Sequence, residues 1–121
     1  MQTERSRGRG DMMLTDAMRE EVVSGLLGIF HDDIVSIILF GSVARREETS
    51  ESDIDIAIIM KKDMDDNTKR EFLNWSADMD LRYDKVFSIV DIQEEKLRLW
   101  GDVLPFYRNV QQEGVVLWKA A

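Results

Sequence analysis

Apolar residues recur along the chain first as a helical stripe, then as two short runs, then as weaker helical stripes. Met18, Val22, Leu26, Ile29 and Phe30 fall at three- and four-residue spacing, with Glu20 and Glu21 on the opposite face. This predicts an amphipathic helix from Thr15, a good N-cap, to about Phe30. Asp32-Asp33 turn the chain into an apolar run, Ile34–Phe40, that predicts a buried strand, and Ile54–Met60 predicts a second. Asp66 or Asn67 caps a further helix through about Met79, with Phe72, Trp75 and Met79 facing inward. Lys85–Asp91 predicts a third strand and Gln93–Trp100 a helix, broken at Gly101-Asp102. Pro105 suits the first turn of a last helix, Phe106–Gln112, with Gly114 as its C-cap, before an edge strand Val115–Trp118. The aromatic and Met positions Met79, Trp100, Phe106 and Tyr107 suit an interface or the core, and are assigned to the core by default. This order predicts an α/β (α+β) fold, a small mixed β-sheet covered by helices on one face.

The candidate chemistry lies between the first two strands. Phe40-Gly41-Ser42 ends one strand, a polar segment follows, and Asp53 and Asp55 alternate with Ile54 and Ile56 at the start of the next. Strand residues two apart point the same way, so the two carboxylates share a face and are suited to divalent metal. Gly41 permits close backbone approach, and the N–H groups opening the following helical turn suit an anion. Phosphate on one side and metal on the other describe a site for a nucleoside triphosphate.

The string Gly41-Ser42-Val43-Ala44-Arg45, then Ser52-Asp53-Ile54-Asp55-Ile56-Ala57, resembles the signature of the polymerase-beta-like nucleotidyltransferase superfamily. It is most similar to the small minimal nucleotidyltransferase (MNT) domains, and the run Pro105–Val110 with Glu113–Leu117 resembles how many of those domains end. The resemblance implies the nucleotidyltransferase fold and transfer of a nucleoside monophosphate to an acceptor hydroxyl, with Mg²⁺ or Mn²⁺ and ATP or another NTP as substrate. It assigns metal binding to Asp53 and Asp55, and phosphate binding to Gly41 and Ser42. Arg45 reaches a phosphate or forms a surface ion pair, Arg46 has Glu47 and Glu48 as partners, and Ser52 caps the turn or fixes Asp53. A third carboxylate is expected on the strand after the second long helix. Strand parity sets Asp84, Val86, Ser88 and Val90 on one face, so mid-strand holds Ser88, and Asp84 is the candidate third catalytic and metal ligand. Asp80 and Asp91 are lesser candidates.

Composition narrows the partners. The 121 residues carry a formal net charge of −8, no Cys and a single His, His31. A metal here is therefore oxygen-ligated, and His31 is read as a charge at the end of the first helix. A chain this acidic argues against direct nucleic-acid binding. No apolar run reaches the roughly 18–20 residues of a membrane span, and the absence of Cys suits the cytoplasm. Residues 1–11, which include Arg5, Arg7 and Arg9, are read as a disordered tail and 12–121 as the domain. The resemblance to MNT domains implies a HEPN-type helical partner protein carrying the acceptor Tyr, and a homo-oligomer remains open. Two other readings stand beside this one: a non-catalytic, nucleotide-binding module that neutralises its partner by occlusion, and a transferase for a small aminoglycoside-type compound.

Overall fold

The structure, a computed structural model, describes residues 14–45 and 53–121. The expected tail, Arg46, Glu47, Glu48 and Ser52 lie outside the described residues.

Helix α1 spans Asp16–Phe30, and the Thr15 side chain caps it by accepting from the Met18 N–H. The predicted stripe is the buried one: Met18, Val22, Leu26, Ile29 and Phe30. His31 ends α1 at φ 53°, its N–H donating to the Leu27 carbonyl, and a single 3₁₀ turn, His31–Asp33, leads into the sheet. The strands are β1 (Ile34–Phe40), β2 (Ile54–Met60), β3 (Phe87–Gln93) and β4 (Val115–Lys119). Their spatial order is β3-β2-β1-β4, with β2 antiparallel to β1 and parallel to β3, and β1 antiparallel to β4. The two hydrophobic runs are thus the two central strands, which explains why neither shows polar alternation. Between them Gly41–Arg45 forms a short helix, α2.

Helix α3, Asp66–Tyr83, packs with α1 on one face of the sheet. Gly25 makes this approach possible, since a methyl there would overlap the Trp75 ring, with Cε2 only 2.6 Å away. Three expected boundaries shift. Asp65, not Asp66 or Asn67, caps α3, its carboxylate accepting from the Thr68 N–H at 2.7 Å; this bond holds the Asp65 carboxyl below its usual range. The helix also continues a turn beyond Met79, to Tyr83, and β3 begins at Phe87 instead of Lys85. Asp84 supplies the left-handed C-cap at φ 52°, and the Lys85 N–H closes back on the Asp80 carbonyl. Lys85 and Val86 are spent on leaving the helix.

The mixed sheet stands as predicted, but helices lie on both of its faces. The short α4 (Glu94–Trp100) and α5 (Pro105–Glu113) contribute Leu97, Tyr107 and Val110 to a second apolar cluster with Ile38, Ala57, Ile59 and Ile92. The default core assignment holds for Met79, which is fully buried, and Tyr107 is half-buried. It fails for Trp100 and Phe106, which are 48% and 43% exposed. Among the described residues no helix is long and apolar enough to cross a membrane.

Candidate active site

Asp55 sits at one end of the second face, on the strand between β1 and β3. Its Cα pairs with Phe40 across β1 and with Ser88 across β3, and Asp53 lies two residues earlier on the same parity. The neighbouring Ile54 is buried in the opposite cluster, and its N–H donates to the Val86 carbonyl at 2.9 Å. This fixes the height at which both carboxylates leave the sheet. The Ile54–Ile56–Ile58 face is anchored by burial, so slippage by one residue would bury both acids.

Gly41 is the complementary piece. It adopts φ +75°, and a methyl on it would overlap the Asp55 carboxylate oxygen Oδ2 and sit 3.1 Å from Cγ. The turn therefore lies directly against the carboxylate, with Ser42 half-buried beside it. Burial first, and then the nearby charge of Asp53, push the Asp55 carboxyl above its ordinary range, while Arg45 pulls it down. Asp53 is exposed. Arg45 closes α2 and pairs with Glu113 of α5 at 3.3 Å, both side chains being substantially exposed. The ion pair and the influence on the Asp55 carboxylate coexist in one residue.

Asp84 does not join this group. As the exposed C-cap of α3 it is committed to a left-handed turn, and among the described residues no three His, Cys, Asp or Glu side chains are arranged to hold a metal. Asp80 is taken up structurally, its Oδ1 accepting from the Phe87 N–H at 2.9 Å. Asp91 pairs with Ile58 and so has the opposite parity to Asp55. The residue beside Asp55 on β3 is Ser88, as parity predicts. Two carboxylates with no His or Cys form an oxygen-only donor pair, and the raised Asp55 carboxyl is one that a cation would stabilise. This fits Mg²⁺ or Mn²⁺, which commonly take one or two protein carboxylates and fill the remaining positions with water and substrate phosphate.

Phe106 and Glu113 of α5 border the site and were not singled out for it in the sequence. Their placement depends on α5 returning to the end of β1, which leaves no local signal.

The family described as polymerase beta, nucleotidyltransferase, matches residues 29–120. The chain belongs to this family. It is a transferase family, and the matched span takes in every element from the end of α1 to β4. A relative from Methanocaldococcus jannaschii, whose name assigns it provisionally as a protein adenylyltransferase, is 36% identical over 102 residues, covering 82% of this nucleotidyltransferase and 93% of the relative. Two solved structures share the fold. One, a toxin–antitoxin crystal structure with AMP-PNP, has a TM-score of 0.58 at 22% identity, covering 84% of this chain and 73% of that one. The other holds a tri-AMPylated Shewanella oneidensis HEPN toxin in complex with MNT antitoxin. It has a TM-score of 0.53 at 21% identity and covers 88% and 74%.

Proposed function

We propose that this nucleotidyltransferase moves AMP from ATP to a hydroxyl on a partner protein, a HEPN-type helical protein being the acceptor class favoured. The observation that carries the reading is the contact between Gly41 and the Asp55 carboxylate, with Asp53 beside it at the same end of the sheet. The name of the M. jannaschii relative supports the adenylyl group and the protein acceptor. The HEPN–MNT complex, one of whose components is AMPylated, supports the acceptor class.

In this reading Asp53 and Asp55 would hold a divalent cation, which would supply charge neutralisation on the triphosphate. In the same reading the backbone N–H groups of the Gly41-Ser42 turn hold the phosphates beside the carboxylate, which itself fills the space that a Gly41 side chain would take. Gly41 also limits the positions open to the Asp55 side chain, so the ligand oxygen is oriented before substrate arrives. Arg45 contributes positive charge on the phosphate side, where Glu113 holds its guanidinium at the rim. In this reading the acceptor hydroxyl comes from the partner.

Ser88 favours a second reading. With a hydroxyl where a third carboxylate would deprotonate or orient the acceptor, the site binds nucleotide and neutralises a partner without transferring to it.

The test is intact-mass measurement of a HEPN-type helical protein from the same organism after incubation with the chain, ATP and Mg²⁺. A gain of one or more AMP groups, lost with Asp53→Asn/Asp55→Asn, is expected. A stable complex that binds ATP but leaves the acceptor unmodified would replace transfer with the binding-only reading.

A further inference from the structure

We propose that Phe106, braced by Phe40 and Tyr107, is the stacking platform for the nucleobase of the bound triphosphate. This rests on the nucleotide reading of the Asp53–Asp55 site. Phe40 is the last residue of β1 and pairs with Asp55 across the sheet. Directly opposed residues on one face of an antiparallel pair hold their Cβ atoms about 4.5–5.5 Å apart, so the Phe40 ring begins beside the carboxylate. Phe106 of α5 meets that ring nearly edge to face, with centroids 5.5 Å apart and planes at 84°. It also leans against Tyr107 at 5.8 Å and 56°.

These contacts fix a ring without covering it. Val110, one turn further along α5, is 1% exposed, whereas Phe106 keeps 43% of its surface open. An edge-to-face pair uses the face of only one ring, leaving aromatic surface available for a second partner. A phosphate chain seated at Gly41 lies next to Phe40 in the chain, and Phe106 is the ring that packs on Phe40. The ring is thus held by two aromatic neighbours and reached from the metal-binding face through a single side chain.

Stacking tolerates every base, because each presents a π-face. The platform therefore sets affinity for the nucleoside and leaves the choice of base to hydrogen-bonding groups elsewhere. Loss of the Phe106 ring weakens ATP and GTP alike and does not affect the phosphate chain.

The experiment is calorimetric titration of the full chain in Mg²⁺ with ATP, GTP and inorganic tripolyphosphate, comparing Phe106→Leu and Phe106→Tyr with wild type. Phe106→Leu is expected to weaken ATP and GTP on the order of ten-fold and leave tripolyphosphate unchanged, while Phe106→Tyr retains wild-type affinity. Unchanged ATP affinity in Phe106→Leu overturns the platform, and an accompanying rise in acceptor KM would assign the ring to the acceptor instead. An equal loss for tripolyphosphate also overturns it, since the ring would then act on the phosphates or on the fold. A wild-type chain that binds neither ATP nor tripolyphosphate overturns the nucleotide reading itself, and the platform with it.

Discussion

Replacing Gly41 with Ala probes the contact on which the site is built. Two costs arise together. At φ +75° an Ala residue occupies the left-handed region, which costs about 1–2 kcal/mol for a residue with a Cβ. The new methyl also overlaps Asp55 Oδ2 and lies 3.1 Å from Cγ and 3.3 Å from Cβ. The side chain must leave its rotamer or β1 must part from β2, and an off-rotamer χ alone costs roughly 0.5–1.5 kcal/mol. A loss of about 2–3 kcal/mol follows, or a fall in Tm of roughly 6–15 °C for a chain of this size. Gly28→Ala is the matched control: Gly28 lies on the exposed side of α1 with nothing within 4 Å of its Cβ position. There Ala removes a helix-interior glycine and stabilises by about 0.5–1 kcal/mol. Thermal and urea denaturation of both variants, with ATP titration alongside, separates the effects. Gly41→Ala with wild-type stability and undiminished ATP affinity would refute the close seating of the turn on Asp55.

Three further outcomes are expected. The folded protein holds the Asp55 proton more tightly than the unfolded chain does, so ionisation above pH 3.8 costs stability as pH rises. Asp55→Asn should therefore melt above wild type at pH 7, with the gap closing as pH falls toward 4; a constant gap across that range would remove the ionisation argument. Asp84→Gly relieves a left-handed backbone and should stabilise by about 0.5–1 kcal/mol in urea denaturation while leaving transfer at the wild-type rate. A large loss of transfer would restore Asp84 to the metal site. Ser88→Asp places a third carboxylate beside Asp55 and should lower Tm in EDTA, with Mn²⁺ or Mg²⁺ recovering the loss and shifting Tm further than in wild type. An equal metal response in both proteins would show that residue 88 does not face the cation.

Much of this was legible because burial dictates it. Ile34–Phe40 and Ile54–Met60 are strands with the bounds their apolar runs suggest, since the two central strands must exclude water on both faces. The two-residue period then fixes Asp53 and Asp55 on one face and predicts Ser88 beside them. Helix ends were less legible. The stretch Asp63–Asn67 contains several residues able to cap, and only Asp65 has its carboxylate on the Thr68 N–H. The last turn of α3 carries Leu81 at 82% exposure, so the apolar period fades before the helix does. Asp84 was placed by extending strand parity backward through residues that belong to a helix C-cap, where parity has no meaning. Phe106 was hidden for a different reason. Its i,i+4 spacing with Val110 matches a core stripe, and only the approach of α5 to β1 leaves one buried and the other open.

Nucleotidyl transfer is tested most directly by following α-labelled and γ-labelled ATP in parallel reactions with the partner protein and Mg²⁺. Attack at the α-phosphorus predicts that the α label enters the acceptor, that the γ label leaves in pyrophosphate, and that both fates vanish in Asp53→Asn/Asp55→Asn. Transfer of the γ label to the acceptor, or α-labelled acceptor undiminished in the double mutant, would contradict it.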